Sequence, residues 1–372
     1  MNRRLNIAVV IRNFVQSGGA ERYAVEVTRR LSRKHMVTIY CQTCDPRLTE
    51  GLEVVQVPRY FIKPRWLNHF LFNIWARKLW RTQGHDRVWS HERHWEYNAC
   101  VIHCPCYKTK FLEKGSLWLY YLKCLISLRH FTYVWMEALQ FKAAPGRVLI
   151  SVSDYITRNI RLCYPNSDLE ILMAPPGVNP AHLLASAPKD GQTLEVLFVG
   201  TEFERKGLEH AIEGFAKADL KSKRLRIAGG GHQAPFLKIA RSLGVEDQVD
   251  FLGLTSDIES LYASSHIFLF PTLNEPFGMA PLEAMAHGLP VILSSGKYNG
   301  FAETLNPDEA IFLENPKNHD SIRKALEHLA SQRTWKTYHH SSLRVSQRMD
   351  WEQTSRQHEK ALTHLLAPKP VD

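Results

Sequence analysis

Two glutamates eight residues apart, Glu275 and Glu283, mark the part of this 372-residue chain that is best suited to ligand chemistry. A Pro and a Gly stand between the first glutamate and an apolar run. If all eight residues were helical, the glutamates would lie about 12 Å apart on different faces. We therefore predict that Glu275 acts from a loop and that a helix starts near Gly278. The backbone N–H groups of Phe277, Gly278 and Met279 would then point out of the helix start.

A helix start of this kind binds anions, because its N–H groups and its dipole favour negative charge. With one carboxylate at each end, it suits an elongated ligand that carries hydroxyl groups on both sides of a pyrophosphate, such as a nucleotide-sugar. The structural alternative is a core helix built on Met279, Leu282 and Met285, with two incidental solvent-exposed glutamates. We favour the ligand site, because Asn-Glu-Pro-Phe-Gly interrupts the turn into the helix in a way that packing does not require.

A basic pair, Arg205 and Lys206, follows a strand pattern in the segment Gly-Thr-Glu-Phe-Glu-Arg-Lys-Gly. Paired cations and helix N–H groups can together neutralise the charge that develops on a departing diphosphate, without a metal ion. The chain contains no Asp-x-Asp, the usual sequence sign of a metal-held pyrophosphate. We therefore expect a site without metal. The structural alternative for the basic pair is an exposed turn.

The first half of the chain contributes two weaker motifs. Gly18 and Gly19 follow the first strand pattern without forming G-x-G-x-x-G, so dinucleotide binding has little support. Glycines there would let the backbone approach a phosphate or a sugar closely. His103 ends another strand pattern and is our candidate for a ligand contact, although a packed histidine with a fixed tautomer fits the pattern nearly as well. His91 and His94 compete for the same role.

The elements that would position these residues alternate between strands and helices. The predicted strands are Asn6–Ile11, Val37–Cys41, Val54–Val57, Arg87–Ser90, Cys100–His103, Val148–Val152, Leu194–Val199, Arg224–Ala228, Val249–Leu252, Ile267–Phe270 and Val291–Leu293. Such alternation predicts an α/β fold with doubly wound parallel sheets, and 372 residues suffice for two domains.

A Pro-rich stretch and the polar segment 186–192 would form the hinge between these domains. We predict one domain over residues 1–180 and a second domain over residues 181–345. The stretch from His319 to Leu366 is predicted to be helical. Because ligands of such folds bind at the carboxyl ends of the strands, we expect the motifs to line a cleft.

From about Leu194 to Glu303 the chain resembles the retaining glycosyltransferases of family 4, which share the Glu-x7-Glu and Gly-x4-Arg-Lys-Gly patterns; before Pro145 the resemblance is weaker. It implies a GT-B fold, in which two Rossmann-like domains face an inter-domain cleft. The resemblance further implies that the N-terminal domain, residues 1–180, binds the acceptor and that the domain over residues 181–345 binds the nucleotide-sugar, with residues 346–372 packing back on the first domain. It also implies that Glu275 hydrogen-bonds to hydroxyl groups of the donor sugar and that Glu283 hydrogen-bonds to the ribose.

The same resemblance suggests roles for the weaker motifs. The loop at Gly18 and Gly19 would lie near the donor phosphates and the acceptor, and His103 would contact the donor sugar. Backbone groups of Gly253 and Leu254 would meet the edge of a uracil base. The layout after Cys106 is similar to that of the lipopolysaccharide-core heptose glucosyltransferases within this family.

The net charge of +10 is unevenly distributed along the chain. Residues 1–180 contain 26 Lys and Arg against 13 Asp and Glu, a net +13, whereas residues 181–372 contain 21 against 24, a net −3. Aromatic residues alternate with the cations over residues 60–81 and 107–142, a composition that favours the headgroup region of an anionic bilayer. Core aromatics between solvated charges are the structural alternative. Nucleic acid is disfavoured, because no helix-turn-helix, zinc-finger or RNP-like pattern accompanies the charge.

Composition also restricts the cellular location. Seven cysteines without an extracellular pattern indicate reduced thiols in the cytosol. Arg12 cuts the first apolar run too short for a signal peptide, and no run approaches the roughly 20 apolar residues of a membrane-spanning helix. We expect a peripheral protein on the inner face of the bacterial cytoplasmic membrane.

Taken with these features, the resemblance implies a retaining, metal-independent hexosyltransferase that uses a UDP-sugar and a membrane-bound glycan acceptor, for which the lipopolysaccharide core fits best. Three alternatives remain open. The first is a nucleotide-sugar epimerase or hydrolase of the same fold, and the second is a transferase of another polysaccharide or glycolipid pathway. The third is a membrane-attached sugar-binding protein without catalytic activity.

Overall fold

The computed structural model describes residues 4–113, 115–255 and 257–364, and the chain folds into two compact units. The first unit comprises Met1–Pro175 together with Trp351–Asp372, and the second comprises Pro176–Asp350. The units therefore divide at Pro175 and Asp350, where the sequence had suggested boundaries at 180 and 345.

The first unit is built on a seven-stranded, wholly parallel sheet in the order β5-β3-β1-β6-β7-β8-β9, and a separate parallel pair joins β2 and β4. Its strands are β1 (Asn6–Val10), β2 (Asn13–Phe14), β3 (Met36–Cys41), β4 (Thr43–Cys44), β5 (Glu53–Gln56), β6 (Arg87–Ser90), β7 (Ala99–Ile102), β8 (Val148–Ser151) and β9 (Glu170–Met173). The central strands are apolar runs because helices on both faces bury them.

The helices of the first unit connect these strands. They are α1 (Gly19–Leu31), α2 (Arg65–Arg81), α3 (Thr109–Glu113), α4 (Leu117–Ile126), α5 (Leu128–Gln140) and α6 (Asp154–Cys163), with a short 3₁₀ turn at Pro46–Leu48. The helix α1 is amphipathic and buries one face that includes Tyr23, Val27 and Leu31. The Ser153 side chain caps α6 by accepting from the Ile156 N–H.

The second unit repeats the plan with a six-stranded parallel sheet in the order β12-β11-β10-β13-β14-β15. Its strands are β10 (Leu194–Val199), β11 (Lys223–Ala228), β12 (Val249–Gly253), β13 (Ile267–Phe270), β14 (Val291–Ser294) and β15 (Ile311–Leu313). Its helices are α7 (Leu208–Lys217), α8 (Ala234–Ser242), α9 (Ile258–Ala263), α10 (Met279–Ala286), α11 (His319–Leu329) and α12 (Gln332–Arg348), with 3₁₀ turns at Glu246–Gln248 and Ala302–Thr304. One core cluster joins the sheet to α7 and α11.

The last helix, α13 (Trp351–His364), belongs to the first unit and packs against α1. The Tyr23 hydroxyl donates to the Ala174 carbonyl at 2.7 Å and lies 2.5 Å from Nε2 of His358, while Trp351 is buried nearby. The predicted helical tail is thus three helices, and its end at residues 365 and 366 lies outside the described ranges. Among the described residues, no helix combines the length and the apolar composition that crossing a membrane requires.

These two parallel sheets confirm the predicted α/β class and the two doubly wound domains. The sequence-based strands at Arg87–Ser90, Leu194–Val199 and Ile267–Phe270 agree with the structure at both ends. Missing from the prediction were the edge strands β9 and β15 and the two-residue strands β2 and β4.

Candidate active site

In the second unit, the basic pair lies in the loop that joins β10 to α7. Gly207 ends this loop in the left-handed region at φ 75°, and a Cβ there would lie 1.9 Å from the Pro271 carbonyl oxygen. Only glycine fits so close an approach. The Arg205 carbonyl also accepts from the Leu273 N–H at 2.9 Å and from the Thr272 hydroxyl at 3.1 Å. The loops after β10 and β13 are therefore fixed to each other.

This connection brings both cations to Glu275, which is buried and carries the loop carboxylate predicted from the sequence. Its Oε2 accepts from Lys206 Nζ and lies 3.2 Å from Arg205 Nη1. Arg205 also donates to Glu202 through Nε, at 3.0 Å, and to the Asn274 carbonyl. The three predicted residues Arg205, Lys206 and Glu275 thus form one ion network.

Burial and charge act in opposite directions in this network. Burial lowers the pKa of Lys206, and the carboxylate of Glu275 offsets part of that effect. Burial also opposes the charge of Arg205, but Glu202 and Glu275 outweigh it and raise the pKa of Arg205. The Lys206 ammonium additionally lies 4.9 Å from the centroid of the Phe270 ring. The contacts with Glu275 and Phe270 therefore favour the charged form of Lys206 and hold its ammonium in place.

The helix start lies where the sequence predicted it. Gly278 is the N-cap of α10 with φ 103°, and Met279 is its first helical residue. The backbone N–H groups of Phe277, Gly278 and Met279 have no hydrogen-bond acceptor within the described part of the chain. These groups are therefore available to an anion.

Asn299 supports this helix start and was missed by the sequence analysis. It is fully buried, pairs with Glu275 in an isolated parallel bridge, and accepts from the Phe301 N–H at 3.0 Å. In addition, the Glu275 N–H donates to the Tyr298 carbonyl at 2.8 Å. A segment that follows β14 thus holds the Glu275 loop in place.

Glu283 lies on α10 and is half-buried. The hydroxyl of the buried Tyr262, in α9, donates to Glu283 Oε2 at 3.1 Å, and the Tyr262 ring stacks on His287 with centroids 5.2 Å apart. Tyr262 therefore orients the second carboxylate of the pair. The sequence analysis missed it, because nothing local links Tyr262 to α10.

Gly253 and Leu254 lie at the end of β12. Gly253 closes the strand and accepts from the Gly229 N–H at 2.8 Å, while the Leu254 side chain is 80% exposed. The carboxyl ends of β10, β12 and β13 share one edge of this parallel sheet, so Gly253, Arg205 and Glu275 all belong to that edge. Their binding to a base stays a prediction.

In the first unit, Gly18 and Gly19 begin helix α1. Gly18 is the N-cap and Gly19 the first helical residue, and both are exposed. The Glu21 side chain lies over this helix start: a Cβ on Gly18 would be 2.5 Å from Glu21 Oε2. Burial raises the pKa of Glu21. The loop therefore presents an exposed helix start and one carboxylate.

His103 follows β7 and belongs to a group of aromatic rings. Its Nε2 lies 3.2 Å from His91 Nδ1, and the Tyr23 ring contacts it edge-on with centroids 5.1 Å apart. Burial lowers the pKa of His103 to about 4, so the ring is neutral at physiological pH. Of its competitors, His94 is fully buried and His91 nearly so. Whether His103 contacts the donor sugar stays a prediction.

His103 also lines a cavity of about 370 Å³ in the first unit, together with Glu21, Arg93 and Glu137. A second ion network forms part of its wall. Glu92 Oε2 lies 3.0 Å from both Arg12 Nε and His69 Nε2. Burial opposes the charge of Glu92, but Arg12 and His69 outweigh it and hold the pKa of Glu92 well below its usual range.

The arrangement in the second unit suits the binding of a diphosphate ester. Two cations, a carboxylate that fixes them and a free helix start are connected through the loop contacts of one sheet edge. Such preorganised groups stabilise the negative charge of a leaving phosphate. The first unit offers a separate polar cavity.

Two family models match successive halves of the chain. The model described as Glycosyltransferase Family 4 matches residues 17–182, and the model described as Glycosyl transferases group 1 matches residues 183–348. Together they span nearly all of both units.

Similar proteins support the same assignment. The chain is 24% identical over 310 residues to the lipopolysaccharide glucosyltransferase WaaG of Escherichia coli, covering 78% of this chain and 80% of that protein. A crystal structure of WaaG superposes with a TM-score of 0.81 at 20% identity, covering 96% of this chain and 99% of that one. The Anabaena protein HepE in complex with UDP and glucose superposes with a TM-score of 0.71 at 15% identity, covering 97% and 100%. These superpositions confirm the predicted GT-B fold.

Proposed function

This chain belongs to the family 4 glycosyltransferases, and on that premise we propose that it transfers a hexose from a UDP-sugar to a membrane-associated glycan with retention of configuration. The chain is a glycosyltransferase; the donor, the stereochemistry and the acceptor are our proposal. The observation that carries it is the joining of Arg205, Lys206 and Glu275 beside the free N–H groups at the start of α10.

In the proposed reaction, the bond between the sugar C1 and the diphosphate oxygen breaks while the acceptor oxygen approaches C1 from the same face. Arg205, Lys206 and the start of α10 stabilise the charge that develops on the leaving diphosphate. The acceptor hydroxyl forms the new C1–O bond and passes its proton to the departing phosphate oxygen. Glu275 would hold donor-sugar hydroxyls, and Glu283, oriented by Tyr262, would hold the ribose. No step of this scheme requires a metal ion.

The lipopolysaccharide core is the acceptor that we propose. A lipopolysaccharide glucosyltransferase is similar to this chain over most of its length, and a lipopolysaccharide core biosynthesis glycosyltransferase of Rhizobium meliloti is 35% identical over 98 residues. The net charge of +13 over residues 1–180 suits an acceptor held in an anionic leaflet.

The test is UDP release from a panel of UDP-sugars, measured with and without purified lipopolysaccharide core. We expect UDP release that depends on the acceptor and occurs with one donor. The anomeric configuration of the product should be the same as that of the donor, and the rate should be unchanged in EDTA. Release that is equally fast without acceptor would point to a hydrolase or an epimerase instead. An inverted anomeric bond would rule out retention.

We also propose that the first unit attaches to the inner face of the cytoplasmic membrane through α4 and α5. On α4, Trp118, Tyr121, Leu122 and Leu125 recur at helical spacing and are exposed, as are Leu128, Phe131 and Trp135 on α5. Leu125 and Ile126, where the two helices meet, are 85% and 76% exposed. Exposed apolar side chains gathered on two helices that pack together are typical of interaction sites, and Lys123 on α4 and Arg129 on α5 favour anionic lipid.

Vesicle sedimentation tests this attachment. With vesicles containing phosphatidylglycerol at low salt, we expect the wild type to sediment and the variant Leu125→Ser/Ile126→Ser to remain in solution. A matched control, Leu162→Ser/Met173→Ser, removes two exposed apolar side chains from elsewhere in the same unit and should sediment like the wild type. Equal sedimentation of all three proteins would refute the attachment.

A further inference from the structure

A second cavity of the first unit, of about 330 Å³, is lined by residues to which the reaction scheme above assigns no role. Four of the residues that line it are basic: Arg12, Arg59, Lys63 and Arg65. Its volume lies within the range of roughly 300–1,000 Å³ that is usual for small-ligand sites. Within the described ranges, no Asp or Glu lines it.

The cavity lies at the carboxyl edge of the sheet, where ligands of such folds bind. Arg12 and Asn13 follow β1, Gln42 follows β3, and the loop that carries Arg59 and Lys63 follows β5; these three strands are neighbours. Arg12 lines this cavity and also the cavity that contains His103. The two cavities therefore adjoin at Arg12.

A reciprocal amide pair supports the cavity. Gln42 Nε2 donates to Asn68 Oδ1 at 3.1 Å, Asn68 Nδ2 donates back to Gln42 Oε1 at 2.9 Å, and both residues are buried. Gln42 also donates to the Pro58 carbonyl at 3.1 Å. The amides thereby fix the start of the basic loop to β3, so that the site has a defined wall.

The positions of the cations in and after this loop are electrostatically unfavourable in the absence of a ligand. Arg59, Lys63 and Arg65 are exposed, and for none of them does the described part of the chain provide a side-chain partner. No acidic residue occurs between Glu53 and Asp86. Arg65 is also the first residue of α2, where a positive charge opposes the helix dipole. Like charges gathered without counterions repel each other, and a bound anion would relieve that repulsion.

Arg12 adds a directed contact. The Arg12 backbone N–H donates to Glu92 Oε1 at 3.0 Å, and Arg12 Nε forms an ion pair with Glu92 Oε2, also at 3.0 Å. The two Nη atoms of Arg12 have no partner among the described residues. A guanidinium held at one edge presents the other edge in a fixed orientation, which suits two-pronged binding of phosphate.

We propose that this cavity binds a phosphomonoester on the sugar acceptor. The inference rests on the proposed function, because it assigns a chemical class to the acceptor of that transfer. Arg12 and the loop cations bind the phosphate, and the adjoining cavity takes a neighbouring part of the acceptor. Inorganic phosphate and the phosphate of a lipid headgroup share this chemistry. The test therefore compares a sugar phosphate, inorganic phosphate and lipid vesicles.

The test is calorimetric titration of the full chain with glucose 6-phosphate, glucose and inorganic phosphate. The variant is Arg59→Ala/Lys63→Ala/Arg65→Ala. The control, Arg4→Ala/Arg29→Ala/Lys142→Ala, removes the same charge from exposed sites of the same unit. We expect the wild type and the control to bind glucose 6-phosphate at millimolar concentration, more tightly than phosphate and far more tightly than glucose. The variant should bind it at least tenfold more weakly.

Two parallel measurements complete the test. Sedimentation with phosphatidylglycerol vesicles should be equal for variant and control; if the variant alone loses it while sugar phosphate affinity is unchanged, the site serves a lipid and the proposal is wrong. Wild-type protein that binds no glucose 6-phosphate also overturns it. UDP affinity tests the donor site separately, and we expect it to be the same in all three proteins. Wild-type protein that binds glucose 6-phosphate but not UDP would contradict the proposed function and leave the phosphate site in place.

Discussion

At the residue scale, the two cations of the ion network at Glu275 differ in how many partners hold them. Arg205 divides its guanidinium between Glu202 and Glu275, whereas the only side-chain hydrogen bond recorded for Lys206 among the described residues is to Glu275. Lys206 is therefore the cation that a diphosphate can recruit without breaking several other bonds. Because its side chain is mostly buried, its charge acts in an environment of low dielectric.

We expect Lys206→Ala to lower the transfer rate by about 10²–10³, the range found when one preorganised donor to a transition-state anion is removed. The measurement is kcat with the preferred UDP-sugar and its acceptor. Lys221→Ala, which removes an exposed lysine of the same unit, should keep the wild-type rate. A loss of less than tenfold in a folded Lys206→Ala protein would contradict the proposed role.

Tyr262 is predicted to be a positioning residue for Glu283. Tyr262→Phe removes the 3.1 Å hydrogen bond and leaves the ring in place, so the carboxylate loses its fixed orientation. A net contribution of about 1 kcal/mol for such a bond predicts a five- to tenfold rise in KM for the donor, with kcat nearly unchanged. Tyr338→Phe, whose hydroxyl has no hydrogen bond recorded in the described ranges, is the control. A fall in kcat alone would contradict the positioning role.

At the scale of elements, the start of α10 depends on a conformation that side chains rarely adopt. Gly278 has φ 103°, and a Cβ there would lie 3.2 Å from Asn299 Oδ1 and 3.3 Å from Glu275 Cγ. We expect Gly278→Ala to weaken UDP binding by about tenfold, because relief of strain turns the free N–H groups away from the phosphate. The measurement is UDP titration by calorimetry.

Gly244→Ala serves as the control for this change. Gly244 also has a positive φ, of 69°, but a Cβ there meets nothing within 4 Å, and it lies at the end of α8. The substitution Gly244→Ala should lower the free energy of unfolding by about 1 kcal/mol and leave UDP affinity unchanged. If both variants weaken UDP binding equally, general destabilisation explains the effect and the helix start does not.

The sequence predicted elements well wherever apolar runs were long and punctuated by Gly or Pro. The start of α10 was found because Gly278 and the neighbouring prolines are local signals. The strands β9 and β15 were missed because each is a short edge strand: β9 has no fully buried residue, and β15 has three residues of which only Leu313 is fully buried, so that neither pattern stands out from a loop. Their existence is decided by pairing with β8 and β14.

The site was predicted less completely than the fold, for a related reason. Glu275, Arg205 and Lys206 were found as motifs, but their joining depends on the contact of Gly207 with Pro271. Asn299 and Tyr262 stabilise the two glutamates from segments that carry no local signature. Supporting residues of this kind appear only once the chain has folded.

At the scale of the whole molecule, buried neutral histidines link the stability of the first unit to pH. Burial lowers the pKa of His94 and of His103 to about 4 and that of His358 to about 3. Unfolding returns each ring to water, where the pKa is about 6.5. The unfolded chain then binds protons that the folded chain excludes. Stability is therefore fully present above pH 6.5 and is lost as the pH falls toward 4.

We expect His94→Asn to reduce by about 3 kcal/mol the fall in the free energy of unfolding between pH 6.5 and 4. The reason is that the pKa of His94 differs by about 2.5 between the folded and unfolded states. The asparagine Oδ1 can replace Nδ1 as the acceptor of the Glu96 N–H, a bond of 3.0 Å. Urea unfolding followed by tryptophan fluorescence measures the effect, because eight of the nine tryptophans belong to the first unit. The exposed His328→Asn should keep the wild-type slope. Parallel pH curves for His94→Asn and the wild type would show that the pKa of His94 is the same in the folded and unfolded states, which would contradict this prediction.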